Sequence, residues 1–336
     1  MKKVFKVSLT VSLAGFLFGF DTVVISGVDQ QLQNLWETSN LFHGTFIMSM
    51  ALWGTVIGAI FAGYPTDYFG RKKTLIGIGV LYFFSAIGSG LAIDPYSFSF
   101  FRFIGGLGVG ASTVTAPTYI SEISPASNRG KLVALYQFNL VFGILVAFVS
   151  NFLLKSTGAE PWRWMVGVEA IPAAIYLLAI FGVPKSPRWL IFNQKDFAKA
   201  EKIQKEMNII PFTKNEIKEI INYKNSSSKK LFSTEYKSPV LLAFLLAFFN
   251  QLSGINAFLY YAPRIFEIAG LKESSALLSS IGIGITNLIF TLLGLYLIDL
   301  IGRKKLMFVG SIGYIVSLSM VGFSFTNSWE GLFVPA

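Results

Sequence analysis

Long apolar runs restrict the environment of this chain more than any other feature of its sequence. Nine runs approach or exceed about 18 residues, the length that crosses a bilayer as a helix. We place the predicted spans at residues 7–27, 43–64, 74–93, 97–120, 131–154, 163–183, 238–262, 274–298 and 306–326. Only 14% of the residues are charged, against about a quarter in soluble domains. The sequence therefore predicts an all-α membrane protein with about nine transmembrane helices.

Basic residues are distributed unevenly between the predicted loops. There are 28 Lys and Arg against 18 Asp and Glu, a net charge of +10. Most of the basic residues fall in the N-terminal tail and in the loops that follow even-numbered spans. Because loops rich in Lys and Arg stay in the cytoplasm, we expect a multi-pass protein of the cell membrane with a cytoplasmic N-terminus. The excess charge follows from this topology, so nucleic acid is not an expected partner.

The residues that most catalytic and metal sites need are scarce. The chain has no cysteine and one histidine, His43, which we interpret as an interfacial or packing residue. It contains no G-x-x-x-x-G-K-[ST] phosphate loop and no hydrolase motif. We therefore predict that the protein is not an enzyme and has no catalytic, metal or cofactor site.

One short pattern occurs twice. D-x-x-G-R-K-K begins at Asp67 after the second span and at Asp299 after the eighth. A parallel repeat with this spacing predicts two six-helix units, and hence twelve helices. We expect residues 1–183 to form a six-helix N-terminal bundle and residues 238–336 to form a partial bundle of helices 7–9, without helices 10–12.

Both copies of the pattern lie at helix ends on the same predicted face. Gly70 and Gly302 permit tight turns between antiparallel spans. The carboxylates, with Arg71 and Arg303, can bridge to neighbouring helices. We interpret the two loops as a conformational latch and not as a substrate site; a purely topological role for the basic residues is the alternative.

Residues 184–237 are polar and are predicted to form a cytoplasmic linker with short helices. The spacing of its apolar residues predicts an amphipathic helix through Phe197, Ala200, Ile203 and Met207. Thr213 and Glu216 form a capping box at the start of a second helix. We expect these helices to lie against the cytoplasmic ends of the bundle, with a disordered tether as the alternative.

Asp21 is the most informative residue of the predicted spans. A carboxylate near the centre of a span costs about 2.5–3.5 kcal/mol on insertion scales, so it usually faces a cavity or a partner. Arg102 in the fourth span is the expected counter-ion. A carboxyl whose charge balance changes with conformation suits a proton carrier, so we predict proton coupling at this pair. A static structural ion pair is the alternative.

Glycines are spaced for close approach between helices. Gly15-x-x-x-Gly19 precedes Asp21 and predicts tight packing of another helix against the first span. Arg102, Gly106 and Gly110 repeat every four residues. We interpret these three residues as a charged and backbone-accessible stripe on the fourth span.

The seventh span carries amides and phenols in an apolar setting. Asn256 and Tyr260 share a helix face, whereas Gln251 lies about 140° away from Asn256 on a straight helix. We predict an irregular turn at Gly254 that brings the two amides to one cavity, as in discontinuous transporter helices. Amides and aromatic rings suit a neutral polyol; interhelical hydrogen bonding alone is the alternative. Two more buried amides are predicted in the fifth and eighth spans, Gln137 and Asn287.

Several segments match the motifs of one family in the same order. They are Gly15-Phe-Leu-Phe-Gly19-Phe-Asp21, Arg102 with Gly105, Gly106, Gly108 and Gly110, Pro117-x-Tyr-Ile-x-Glu122 with Arg129-Gly130-Lys131, Pro184-Lys-Ser-Pro187-Arg188, and Gln251-x-Ser-Gly254-Ile-Asn256 through Pro263. From about residue 10 to 310 the chain resembles the sugar porters of the major facilitator superfamily. The resemblance implies a major facilitator fold and transport of a sugar across the membrane.

The resemblance also implies roles for individual residues. Asp21 would be the protonatable residue of proton-coupled members, with Arg102 as its partner. Positions that contact the sugar or gate its pocket are matched by Gln137, Gln251, Asn256, Asn287, Phe18 and Tyr260. The cytoplasmic charge network, which stabilises the outward-facing state in the family, is matched by Arg71, Glu122, Arg129, Arg188 and Arg303. Together with Asp67, Gly70, Asp299 and Gly302 we call these residues the latch.

Three departures from the family pattern stand out. Lys185 replaces a glutamate of the signature around Pro187, which reverses a charge, and Asn250 replaces the first of two glutamines. The tenth helix, which supplies a pocket tryptophan and part of a gate in the family, has no counterpart in these residues.

We therefore expect secondary active transport of a monosaccharide by alternating access, with sugar–proton symport. A facilitative sugar uniporter is the nearest alternative. A different class of function is a truncated, non-transporting membrane protein that acts only with another chain supplying helices 10–12; a sugar-sensing receptor is also conceivable. The expected partners are the monosaccharide, the proton and the lipid bilayer.

Overall fold

The computed structural model describes residues 2–218 and 236–326, apart from the side chains of Asp299 and Phe325. These residues form helices and no strand. The principal helices before the linker are α1 (Lys2–Val24), α2 (Asp29–Leu35), α3 (Asn40–Phe42), α4 (Met50–Phe61), α5 (Gly63–Tyr68), α6 (Arg71–Gly90), α7 (Pro95–Ile123), α8 (Arg129–Leu154), α9 (Pro161–Gly167) and α10 (Ala170–Phe181). Those of the linker and beyond are α11 (Pro187–Trp189), α12 (Phe197–Met207), α13 (Lys237–Leu252), α14 (Ile255–Tyr260), α15 (Ala262–Ile268), α16 (Glu273–Ile301) and α17 (Arg303–Thr326). Short 3-10 and π-helical turns occupy Ile25–Gly27, Ala126–Asn128, His43–Met48 and Leu190–Gln194.

Within the described residues, 7 helices are long and apolar enough to cross a membrane, against nine predicted spans. The two that differ are the predicted spans 97–120 and 238–262. The first lies within α7, which has 29 residues but contains Arg102 and many small glycine, serine and threonine residues. The second is divided between α13 and α14, and α13 alone is shorter than a span. Low hydropathy explains the first difference and a helix break explains the second.

Glycines bring α1 and α8 into close contact. A Cβ placed on Gly15 would lie 2.5 Å from the carbonyl oxygen of Tyr136, and one on Gly19 would lie 1.8 Å from that of Leu140. Any larger residue would push the two helices apart. The predicted close approach at Gly15-x-x-x-Gly19 is confirmed, and it fixes the helix that carries Asp21 against α8.

The glycines of α7 have a different role from the predicted one. A Cβ on Gly106 would lie 2.1 Å from the carbonyl oxygen of Ala51, and one on Gly110 would lie 2.1 Å from that of Thr55. Helix α4 therefore covers both positions, as small residues allow. The prediction that they form a backbone-accessible stripe with Arg102 was wrong, because helix packing occupies the glycine face.

A capping box fixes the start of α7. The carboxylate of Asp94 accepts hydrogen bonds from the backbone N–H groups of Tyr96 and Ser97 at 2.9 and 3.0 Å. The hydrogen bonds from Ser97 hold the pKa of the Asp94 carboxyl below its ordinary value, because they stabilise the ionised form. The cap thus sets where the Arg102 helix begins.

The ends of the helices lie at two faces of the bundle. We call one the basic face: it carries the N-terminus of α1, the turn between α5 and α6, and helices α11 and α12, and there Lys3 Nζ donates to the carbonyl oxygen of Glu206 at 2.8 Å. We call the other the opposite face: it carries residues 25–48 and the starts of α7 and α9, and there Arg163 Nη1 donates to the carbonyl oxygen of Ala92 at 2.6 Å.

The two copies of D-x-x-G-R-K-K have the same backbone geometry. Gly70, between α5 and α6, has φ 90° and ψ 153°, and Gly302, between α16 and α17, has φ 86° and ψ 153°. Glycine adopts these angles at little cost, and other residues do not. The repeat in the sequence is therefore also a repeat in the structure.

The described part of the linker contains short helices, among them α11 and α12. Three of the four predicted apolar positions of α12 are buried against the bundle, namely Ala200, Ile203 and Met207. Glu216 Oε2 accepts a hydrogen bond from the backbone N–H of Thr213 at 2.7 Å, which completes the capping box. The predicted flexible segment 225–230 lies outside the described residues.

Residues 238–326, which we call the second half, meet residues 2–183, the first half, through the long helix α16 and through their short helices. Leu259 and Ala262 are buried in one apolar cluster with residues of α1 and α8. Helix α16 packs along α8, where a Cβ on Gly284 would lie 3.1 Å from Cα of Leu145. Helix α13 contains no buried residue.

Candidate functional site

Asp21 and Arg102 form an ion pair inside the first half. Nη1 of Arg102 lies 2.5 Å from Oδ1 of Asp21, and Nη2 donates to the carbonyl oxygen of Asp21 at 2.8 Å. Each side chain is 1% exposed. The structure thus joins α1 to α7 through the two residues that the sequence singled out.

Glu169 is a second buried carboxyl at this pair, and the sequence analysis missed it. It is 1% exposed and precedes α10. Its side chain lies near Asp21 and Arg102, and its Oε1 is buried without a hydrogen-bond partner among the described residues. The signal was available, because the predicted span 163–183 contains Glu169 and a carboxylate inside a span is a functional candidate by the argument applied to Asp21.

One guanidinium thus faces two carboxyl groups. If both were ionised, the cluster would carry an unbalanced negative charge away from water, which costs several kcal/mol per ion. Binding one proton makes it neutral. The cluster can therefore hold a proton on one of two carboxyl groups that titrate as a pair. Among the described residues, no group of three or more His, Asp and Glu is placed to hold a metal ion.

A glycine of α7 leaves room for this cluster. A Cβ on Gly105 would lie 2.4 Å from Oγ of Ser85 and 3.3 Å from Oδ1 of Asp21. Glycine at this position therefore admits the carboxylate between α1, α6 and α7. From the second half, Tyr260 is 4% exposed and is buried in an apolar cluster with Ile25, which follows α1, and Phe98 of α7, so the second half packs against the parts of the first half that carry the ion pair.

The polar segment of the predicted seventh span is interrupted where the sequence indicated. Gly254 has φ 77° in the left-handed region and separates α13 from α14. Across this turn, Asn256 Nδ2 donates to Gln251 Oε1 at 2.8 Å. The predicted irregular turn is confirmed, and it brings together two amides that a straight helix would hold on different faces.

The other predicted sugar contacts are placed separately. Gln137 on α8 is exposed, so the prediction that this amide is buried was wrong, because the described residues leave its side chain uncovered. Asn287 on α16 and Phe18 on α1 are half-buried. Among the described residues, neither Gln137 nor Asn287 makes a side-chain hydrogen bond to Gln251 or Asn256. The structure therefore joins two of the four predicted amides directly.

At the basic face, part of the predicted latch is assembled. Arg71 Nη2 lies 2.9 Å from Glu122 Oε1, and Arg71 Nη1 lies 3.0 Å from Asp67 Oδ1. Ser186 Oγ donates to Glu122 Oε2 at 2.6 Å. Trp189 Nε1 donates to the carbonyl oxygen of Asp67 at 2.8 Å, so α11 covers the turn. Ser186 lies within the motif Pro184-Lys-Ser-Pro187-Arg188 and Trp189 directly follows it, but their contacts were not predicted.

The remaining latch residues are not joined to this cluster. Arg129, Arg188 and Arg303 are exposed and form no ion pair with another described residue. The side chain of Asp299 lies outside the described part of the structure. Lys185 lies over the ring of Trp189, with Nζ 5.7 Å from the ring centroid.

The helical bundle with a buried charge cluster and a broken helix defines a membrane transporter of the major facilitator fold. The structure superposes on a solved structure of the xylose transporter XylE from Escherichia coli in a partially occluded inward open conformation, with a TM-score of 0.88 and 31% sequence identity. The match covers 99% of this chain and 82% of that one. Residues 7–332 match the family model described as sugar (and other) transporter. The chain belongs to this family of sugar transporters.

Two relatives are named as proton symporters. The arabinose-proton symporter of Bacillus subtilis is 35% identical over 329 residues, which cover 95% of this chain and 70% of the relative. The D-xylose-proton symporter of Escherichia coli is 33% identical over 362 residues, covering 98% of this chain and 74% of the relative.

Proposed function

We propose that this protein carries a monosaccharide across the membrane by alternating access and couples that movement to a proton. The observation that carries the proposal is the buried cluster of Asp21, Arg102 and Glu169, in which two carboxyl groups share one guanidinium. Such a cluster is neutral only with one proton bound. If the cluster is exposed first to one side of the membrane and then to the other, it carries that proton across. The names of the arabinose and xylose relatives as proton symporters support the same assignment.

The sugar would bind between the two halves. Gln251 and Asn256 already form a polar pair beside the helix break, and the amides can both donate to and accept from hydroxyl groups. We assign Gln137 and Asn287 to the same site when the halves close, with Phe18 and Tyr260 as its aromatic walls. Nothing at these positions requires a charged substrate.

Alternating access requires two ends that open in turn. We propose nine transmembrane segments, counting α7 and the broken α13–α14, with boundaries at residues 183 and 237 and with the basic face in the cytoplasm. The lysines and arginines of that face follow the rule that places such loops inside the cell. The latch would then stabilise the conformation that is closed towards the cytoplasm.

The experiment is transport by the purified chain in liposomes, with labelled xylose, arabinose and glucose. Exchange of internal for external sugar tests binding and alternating access without a proton gradient. Accumulation driven by an acidic exterior tests coupling. We expect both for the wild-type chain and, for Asp21→Asn, exchange without accumulation.

The matched control is Glu201→Gln, which removes an exposed carboxylate whose ion pair, within the described part of the chain, is with Lys205 on α12; its transport should equal that of the wild type. Accumulation that survives in Asp21→Asn would exclude proton coupling at Asp21. Exchange without accumulation in the wild type would identify a facilitative uniporter, and no exchange of any sugar would overturn the transport assignment for this chain.

A further inference from the structure

A buried carboxylate, Asp29, lies at the opposite face and is not part of the proposed transport cluster. It is the first residue of α2 and is 2% exposed. Its Oδ1 lies 2.8 Å from Nε2 of His43, which is 1% exposed, and Nδ1 of His43 lies 3.2 Å from Oγ1 of Thr38. A buried carboxylate needs hydrogen-bond donors, and His43 supplies one from the same half. The histidine therefore holds Asp29 in a fixed orientation.

The second oxygen of Asp29 faces the other half of the protein. Nη1 of Arg264, on α15, lies 3.3 Å from Asp29 Oδ2 and donates to Gln33 Oε1 at 3.0 Å. One turn later on the same helix, Glu267 Oε2 accepts a hydrogen bond from Gln30 Nε2 at 2.7 Å. We call Asp29, Gln30, Gln33, His43, Arg264 and Glu267 the Asp29 clasp.

Apolar contacts lie directly beneath the clasp. Tyr260 is buried in one cluster with Ile25 and Val28, which connect α1 to α2. Between the halves the structure leaves a cavity of about 30 Å³, lined by residues that include Ser26, Asp29 and Arg264. A space of this size holds a water molecule or two and is far too small for a sugar. The path between the halves is therefore closed at the opposite face.

The contacts at the other end of the molecule differ. Across the basic face, no ion pair joins a described residue of the first half to one of the second half. The ion pairs found there lie within the first half, such as Arg71 with Glu122, or within the linker helix α12, as Glu201 with Lys205. The polar contacts that hold the two halves together are thus concentrated at the opposite face.

We propose that Asp29 and Arg264 are gating residues, whose contact stabilises the conformation closed at the opposite face and must break before that face opens. His43 is a positioning residue, because it orients Asp29 towards Arg264 without crossing between the halves. The inference rests on the proposed alternating-access function for its role in transport, but the contact itself can be tested without any substrate.

The test uses the absence of cysteine from the chain. The purified full-length chain, in detergent, receives the single substitution Ser26→Cys, which places a thiol in the cavity under the clasp, where Ser26 is 4% exposed. Its rate of reaction with a water-soluble maleimide reports how often this face opens. In the Arg264→Gln background we expect a rate about tenfold higher, which corresponds to about 1.4 kcal/mol between the two conformations.

The matched control is Arg163→Gln. Arg163 also lies at the opposite face, but among the described residues its side chain contacts Glu160, the ring of Trp162 and backbone carbonyls, all within the first half, so its loss should leave the labelling rate unchanged. Gln30→Ala provides a second variant, since it removes the contact with Glu267 and leaves the buried Asp29 untouched; we expect a smaller increase.

Labelling rates in Arg264→Gln and Gln30→Ala that both equal the wild-type rate would overturn the clasp, even if the protein transports sugar. Faster labelling in a chain that exchanges no sugar would support the clasp and reject the transport function, so the two proposals fail separately.

Discussion

Asp21 and Glu169 compete for one arginine, and this competition determines what the buried cluster can do. An isolated pair of Asp21 and Arg102 is neutral and needs no proton, which would suit a static structural bridge. The addition of Glu169 near Asp21 changes the charge count. The proton of a symporter would therefore be bound by the cluster as a whole and not by Asp21 alone.

Glu169→Gln should reduce coupling by leaving a cluster that is neutral without a proton. We expect accumulation driven by an acidic exterior to fall strongly, with sugar exchange largely retained because the amide keeps the shape of the buried side chain. Both assays use the same liposomes. If accumulation in Glu169→Gln equals that of the wild type, Glu169 is a packing residue and Asp21 carries the proton without it.

The sequence predicted Asp21 and Arg102 but not their third partner, for a physical reason. A charge inside an apolar run can be recognised from the sequence, and Asp21, Arg102 and Glu169 all satisfy that rule. Which of them meet depends on how α1, α7 and α10 pack. Asp29, His43 and Arg264 lie at the ends of predicted spans or within two residues of them, where charge is common, so the sequence contains no local signal for their contact.

At the scale of single elements, the helix break at one glycine could be predicted from the sequence, whereas the packing of two other glycines could not. The break at Gly254 was predictable, because Gln251 and Asn256 could share a site only if the helix changed direction between them. The packing of Gly106 and Gly110 against α4 was not, since a row of glycines on a helix suits a ligand and a neighbouring helix equally well. Only the observed carbonyl contacts decide between the two.

The two copies of the repeated turn allow a matched comparison of glycines. Gly70 and Gly302 both have positive φ, but a Cβ on Gly70 would lie 2.8 Å from the ring of Trp189, whereas one on Gly302 meets nothing within 4 Å. Alanine at Gly302 should cost only the backbone strain, about 1–3 kcal/mol. Alanine at Gly70 should cost this strain and, in addition, the free energy needed to displace the ring of Trp189.

We therefore expect Gly70→Ala to lower the midpoint of thermal unfolding in detergent more than Gly302→Ala does. Tryptophan fluorescence of the Gly70→Ala variant should also change, because the ring of Trp189 must move. Equal unfolding midpoints for the two variants would show that the packing of α11 does not stabilise the turn at Gly70.

At the scale of the whole molecule, the two halves are joined at one end more than at the other. Short helices α14 and α15 insert into the first half near Ile25, while α13 contains no buried residue. The repeat in the sequence predicts equivalent halves but not which end is closed, because closure depends on contacts between residues more than 200 positions apart, such as Gln30 with Glu267.

This asymmetry predicts different reactivity for thiols placed on either side of the sugar path. Gln137 is exposed on α8, towards its basic-face end, whereas Ser26 is 4% exposed at the opposite face. In the cysteine-free chain, Gln137→Cys should react with a water-soluble maleimide much faster than Ser26→Cys. A transported sugar should slow the reaction of Gln137→Cys, because Gln137 is assigned to the sugar site.

Asn139→Cys is the matched control on the same helix. Asn139 is 4% exposed and donates to Ser12 Oγ at 2.8 Å, so its thiol should react slowly whether sugar is present or not. Solvent access governs the rate at which each thiol reacts with the maleimide. If the protein is mostly closed at the opposite face, Gln137→Cys should react fastest, and Asn139→Cys and Ser26→Cys should both react slowly. Comparable rates for Gln137→Cys and Ser26→Cys would mean that both ends open equally often, and the clasp would then contribute little to the balance between the two conformations.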